Sequence, residues 1–93
     1  MNYSVRWTPT ARRLLTELWL EAADRKQVQR AADEIDRILA EDPLNAGESR
    51  VSNIRILIQR PLAVYFDVYD SDRRVHVWRI WRLRDRGAPP ADA

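Results

Sequence analysis

The sequence predicts an α+β domain of order β-α-α-β-β-β, with a helical hairpin packed on one face of a small antiparallel sheet. Three observations carry this prediction. A short segment of alternating residues opens the chain, two stretches with a 3.6-residue apolar period follow, and the period then changes to 2. At 93 residues, with no break in composition, the chain makes one domain.

The first strand spans about 3–7. In Tyr3-Ser4-Val5-Arg6-Trp7 the aromatic and β-branched residues occupy alternate positions, as in a half-buried strand. Thr8 and Pro9 end it and start a helix over about 9–23, since Thr8 is a good N-cap and Pro9 sits where its missing N–H costs nothing. Ala11, Leu14, Leu15, Leu18, Trp19 and Ala22 then form one apolar stripe. Asp24 and Gln27 form a capping pair for a second helix over about 25–41. Its stripe is Val28, Ala31, Ala32, Ile35, Ile38 and Leu39, and Asp42-Pro43 stops it. The tight connection makes the two helices an antiparallel hairpin.

Residues 43–49, Pro-Leu-Asn-Ala-Gly-Glu-Ser, read as a loop. Three strands follow at about 51–59, 62–69 and 74–82, separated by Arg60-Pro61 and by Asp70-Ser71-Asp72-Arg73, so consecutive strands pair as hairpins. Residues 1–85 are assigned to the domain. The small, Pro-rich stretch 86–93 is expected to be a flexible tail.

Composition narrows the function classes. A chain with 45% hydrophobic and 32% charged residues has the balance of a soluble globule. With no cysteine and a single histidine, His76, neither disulfides nor the usual zinc sites are expected. Gly47 and Gly87 fit no phosphate-binding pattern, and Asp67, Asp70 and Asp72 read as a turn sequence rather than a calcium loop. No cofactor is therefore expected. The amino end lacks a signal peptide's order and no apolar run reaches 18 residues, so the expected location is cytoplasmic.

Charge is distributed unevenly. Residues 1–49 carry 7 basic and 9 acidic side chains; residues 50–93 carry 9 basic, all arginine, and 5 acidic. Sorting strand residues by alternation places Tyr3, Val5, Trp7, Ile54, Ile56, Ile58, Leu62, Val64, Phe66, Val68, Val75 and Val77 on the face that takes the helices. The opposite face would hold Asn53, Arg55, Leu57, Ala63, Tyr65, Asp67, Tyr69, His76, Trp78, Ile80 and Arg82. Two helices cover only one face, and an open surface with this many aromatics and arginines calls for a cover. Nucleic acid fits, through stacking and phosphate pairing. A protein partner fits equally, because Trp, Tyr and Arg are common interface anchors. The chain's own carboxyl-terminal segment is the third possibility.

The same landmarks carry a family likeness. Trp7-Thr8-Pro9-Thr10-Ala11 opens the first helix, Ile38-Leu39-Ala40-Glu41-Asp42-Pro43 closes the second, Ile54-Arg55-Ile56-Leu57 begins the sheet, and Asp70-Ser71-Asp72-Arg73-Arg74-Val75 leads into the last strand. In their order and spacing they resemble the RelE/ParE superfamily of bacterial type II toxins, which includes plasmid-stabilisation toxins, over about residues 3–84. This resemblance implies a small cytoplasmic toxin whose cognate antitoxin wraps around it. RelE-like members cut messenger RNA on the ribosome through attack by the RNA's own 2′-hydroxyl; ParE-like members poison DNA gyrase. Arg55 matches the family's second-strand arginine. Two positions depart from the nuclease pattern: Leu62-Ala63 stands where a second arginine is usual, and Arg82-Leu83-Arg84 where several members have His-Tyr or Tyr. If the chain cleaves RNA, the catalytic candidates are Arg55, Arg82 and His76, with Tyr65, Trp78, Arg79 and Arg84 contacting nucleic acid or a partner. A diverged interaction protein that keeps the fold without catalysis is the alternative.

Overall fold

A computed structural model of the chain describes residues 2–50 and 53–83. Its elements are β1 (Ser4–Trp7), α1 (Pro9–Glu21), α2 (Arg25–Glu41), β2 (Glu48–Ser49), β3 (Arg55–Gln59), β4 (Leu62–Tyr69) and β5 (Arg74–Arg82). Single 3₁₀ turns at Pro43–Asn45 and Asp70–Asp72 complete the order. The helical hairpin lies on one face of a sheet with strand order β1-β5-β4-β3-β2. β3, β4 and β5 pair antiparallel, as the short breaks between them require. β1 instead pairs in parallel with β5, Val5 opposite Val75, because the two helices return the chain to the same end of the sheet. The sheet is thus mixed, and it gains the two-residue β2 inside the segment read as a loop.

Both helix starts are capped as the sequence suggests. The Ala11 N–H donates to Thr8 Oγ1 at 3.2 Å, and the Gln27 N–H to Asp24 Oδ1 at 3.1 Å. The end of α1 is closed by Arg25, whose Nε and Nη2 donate to the Trp19 and Leu20 carbonyls, each at 3.2 Å. The same guanidinium carbon lies 4.5 Å from the Trp19 ring centroid.

The main core lies between helices and sheet. Ala11, Val28, Ile35 and Leu39 from the helices meet Leu57, Leu62, Val64, Phe66, Val75, Val77 and Ile80 from the strands. Phe66, Ile35 and Leu39 are fully buried, while Trp19 is only half-buried at the edge of this core. A second cluster of Ile56, Ala63, Trp81 and Leu83, with Tyr65 against it, lies on the other side of the sheet.

That division corrects the predicted faces of two strands. On β3, Leu57 belongs to the helix-side core and Ile56 to the opposite cluster, and both Ile54 and Ile58 are exposed. Three consecutive apolar residues, Ile56-Leu57-Ile58, do not reveal which face is inward; the register with β4 does, pairing Leu57 with Val64 and Ile56 with Tyr65. On β5 the alternation is interrupted. Phe66 pairs with Val77 and Tyr65 with Arg79, leaving Trp78 as the extra residue of a β-bulge. Beyond the bulge the faces swap: Ile80 joins the helix-side core, Trp81 the opposite cluster, and Arg82, paired with Leu62, falls on the helix side.

Candidate functional site on the open sheet face

The bulge places the most exposed aromatic of the sheet. Trp78 is 46% exposed, and its backbone carbonyl accepts from Thr8 Oγ1 at 3.2 Å. The Thr8 N–H donates to the Val77 carbonyl at 3.0 Å. A single threonine therefore both caps α1 and fastens the bulge. Between these elements and β4 lies a groove of about 490 Å³ lined by Thr8, Thr10, Arg50, Ile54, Tyr65, Trp78 and Arg79.

The groove is built from flat aromatic surface and positive charge. Tyr65 packs against Trp81 with ring centroids 4.8 Å apart and planes tilted by 49°. Arg79 is the cross-strand partner of Tyr65 and shares its face. Arg50 approaches from the loop before β3, its Nη1 3.6 Å from Glu48 Oε2 in an exposed ion pair. Two threonine hydroxyls at the start of α1 complete a lining that contains no carboxylate. Such a site accepts a planar group and an anion together.

Beside the groove on the same face sits a polar cluster. Asp67 is buried, and its Oδ2 accepts from the Tyr69 O–H at 2.8 Å. That hydrogen bond, with smaller contributions from burial and the negative charge, raises the Tyr69 phenol above its ordinary pKa. The Tyr69 ring lies against the His76 imidazole, with centroids 4.8 Å apart. His76 is half-buried and pairs across the sheet with Asp67 on one side and Arg6 on the other.

The sequence-derived candidates separate into two groups. Tyr65, Trp78 and Arg79 converge on the groove, and His76 stands one cross-strand row away, about 7 Å along the strands. Arg55 does not join them. It pairs with Phe66 and lies on the helix side, where Nε donates to the Ala46 carbonyl at 3.1 Å and Nη2 to the Gly47 carbonyl at 3.5 Å. Arg82 is exposed on that same side beyond the bulge. Expecting Arg55 and Arg82 on the open face was therefore incorrect: the register of β3 displaces the first and the bulge the second. Arg84 and the tail 86–93 lie outside the described residues. The sequence reading overlooked Thr10, Arg50 and Trp81 as contributors. The Thr8-Pro9 cap was legible, whereas nothing local to Arg50 marks it as part of a groove.

Among the described residues no cluster of His, Cys, Asp or Glu fits a metal ion, and no helix is long and apolar enough to cross a membrane.

No protein-family model matches the sequence, and no curated protein matches it. Solved structures do. RelBE2, a toxin–antitoxin complex from Mycobacterium tuberculosis, contains a chain that superposes with a TM-score of 0.76 at 22% identity, covering 91% of this chain and 95% of that one. A chain of the chromosomal ParDE toxin–antitoxin system of Pseudomonas aeruginosa gives 0.68 at 21% identity, covering 88% and 97%. The archaeal RelE–RelB complex of Pyrococcus horikoshii gives 0.66 at 16%, covering 88% and 96%. With two helices on a mixed five-stranded sheet matched over nearly the whole length of these chains, the protein has the fold of the RelE and ParE toxins.

Proposed function

We propose that this chain is the toxin of a bacterial type II toxin–antitoxin pair, acting in the cytoplasm. In this reading a segment of the cognate antitoxin covers the open sheet face, and the uncovered toxin cuts messenger RNA on the ribosome. The observation that carries it is the groove that combines Tyr65 and Trp78 with Arg50, Arg79 and the hydroxyls at the start of α1. Aromatic faces stack on bases at about 1–3 kcal/mol each, and guanidinium groups pair with phosphates. The same residues suit an antitoxin segment bearing acidic side chains, so inhibitor and substrate would compete for one surface. Within this reading His76 is the acid–base group.

A second reading, inhibition of DNA gyrase or partner binding without catalysis, is favoured by one feature. Arg55 and Arg82 lie on the helix side of the sheet, so those two and His76 share no common centre. Induced expression with and without the neighbouring gene, followed by cleavage of messenger RNA on programmed ribosomes and by a gyrase supercoiling assay, separates the two readings. Growth arrest with RNA cleavage supports the first. Arrest with lost supercoiling and intact RNA overturns it in favour of gyrase, and no arrest leaves only the non-catalytic protein. In the same assay, any loss of toxicity in Arg55→Ala is expected to come with a lower melting temperature, because two carbonyls lose their partner.

A further inference from the structure

Asp67 is the one buried charged residue among those described, at 7% exposure, and half of its carboxylate has an identified partner. Oδ2 is held by Tyr69, whereas Oδ1 is buried with no hydrogen bond. A buried oxygen left in this state costs about 1–3 kcal/mol, so one that persists requires a physical explanation. The nearest cross-strand side chain on that face is His76, which pairs with Asp67 and so has its Cβ about 4.5–5.5 Å away. Tyr69 joins the two: its hydroxyl fixes the carboxylate and its ring packs on the imidazole. These three side chains are drawn from two strands and lie at the flank of the groove.

From this arrangement we propose that Asp67 is a positioning residue for His76: the two are not hydrogen-bonded in the structure, and a turn of the imidazole lets it donate its N–H to the unpartnered Oδ1, so that one tautomer is fixed and the other ring nitrogen faces the groove. The inference rests on the RNA-cleaving reading above and deepens it by naming what holds the acid–base group. A neutral imidazole has one bare nitrogen and one N–H, and the partner of the N–H decides which is which. With the N–H held by Asp67, the bare nitrogen takes the proton of a ribose 2′-hydroxyl while that oxygen bonds to the adjacent phosphorus. The 5′-oxygen of the next nucleotide leaves and takes its proton from solvent water, while the 2′-hydroxyl proton stays on the imidazole until it is released to solvent. The carboxylate then faces an imidazolium and stabilises it. The other groups around the ring are Arg6 from β1, Arg74 two residues earlier on β5, and Tyr69. Of these neighbours and Asp67, the carboxylate alone carries negative charge.

Because the chain has one histidine, its ring nitrogens give unambiguous ¹⁵N resonances. In the free, full-length protein above the imidazole's titration range, the parent is expected to show two widely separated nitrogen shifts, one protonated and one bare. In Asp67→Asn, which keeps the shape of the side chain, the two shifts are expected to move together as the tautomers exchange. Tyr69→Phe keeps the ring on His76 and removes only the hold on Oδ2, so it should fold and show a partial convergence. On programmed ribosomes Asp67→Asn is expected to lose on the order of tenfold or more in single-turnover cleavage. Equal, averaged shifts in the parent and Asp67→Asn overturn the pairing, and an Asp67→Asn protein that cleaves as fast as an active parent overturns its catalytic use. A tautomer signature that depends on Asp67 in a protein that cleaves no RNA upholds the pairing and defeats the cleavage reading alone.

Discussion

Gly47 precedes β2 with φ at +62°, and a β-carbon built there would lie 1.9 Å from the Ile56 carbonyl oxygen, 2.7 Å from its carbon and 3.1 Å from the Leu57 Cα. All three neighbours are backbone, so no side chain can swing away. In Gly47→Ala the left-handed conformation costs about 1–2 kcal/mol, and the forced displacement of β3 adds about 1–3 kcal/mol as overpacking does elsewhere. The displaced strand carries Ile56, paired with Glu48, and Arg55, held by the Ala46 and Gly47 carbonyls, so relief of the clash must loosen both. A total of about 2–5 kcal/mol is a large share of the stability of so small a domain. Thermal unfolding followed by circular dichroism is expected to show a midpoint lower by about 10 °C or more. Glu48→Ala, at the exposed neighbouring position, should stay within about 0.5 kcal/mol of the parent. At roughly 4–8 °C per kcal/mol, a Gly47→Ala protein melting within about 2 °C of the parent refutes the close approach of this turn to β3.

Three further outcomes are expected. Phe66→Ala empties the centre of the helix-side core and should lower stability by about 3–5 kcal/mol, read as a shifted urea midpoint. Trp78→Ala removes an exposed indole outside both cores; it should leave the melting temperature unchanged while weakening binding of the antitoxin proposed above by about 2 kcal/mol, roughly 30-fold, in calorimetry. The hydrogen bonds from Tyr3 to Asp70 and from Tyr69 to Asp67 raise both phenols above their ordinary value. Their contribution is therefore complete below about pH 10 and is lost as the pH rises through the raised values, so a plot of stability against pH should fall less steeply there for Tyr3→Phe and Tyr69→Phe than for the parent.

Elements with a strong local signal were legible from sequence. α2 begins and ends at the residues its capping pair and Asp42-Pro43 mark, and β4 and β5 match their alternating runs end to end. What sequence did not reveal depends on pairing between distant segments. The parallel union of β1 with β5, the two-residue β2 and the inward turn of Leu57 are set by pairing partners on other segments, from six positions away for Ser49 and Arg55 to seventy for Ser4 and Arg74. The site suffered most from the bulge. A strict period of 2 through Val75-His76-Val77-Trp78-Arg79-Ile80 assigns Ile80 and Arg82 to the open face, and one unpaired residue is enough to invert that assignment. Tyr65 and His76 fall on the open face as alternation predicts, because the extra residue belongs to β5, leaving the alternation of β4 unbroken through Tyr65, and His76 precedes the bulge.

Thr8 gives the two sides of the sheet a shared fastening. Its hydroxyl accepts from the first turn of α1 and donates to the carbonyl of Trp78, the residue that any occupant of the groove would touch. An occupant that immobilises Trp78 also steadies the amide of Ala11, which is packed in the opposite core. Covering the sheet would thus slow hydrogen exchange at the start of α1, on a surface the occupant never reaches, so that a chain with its groove filled is also one whose helical layer opens less often.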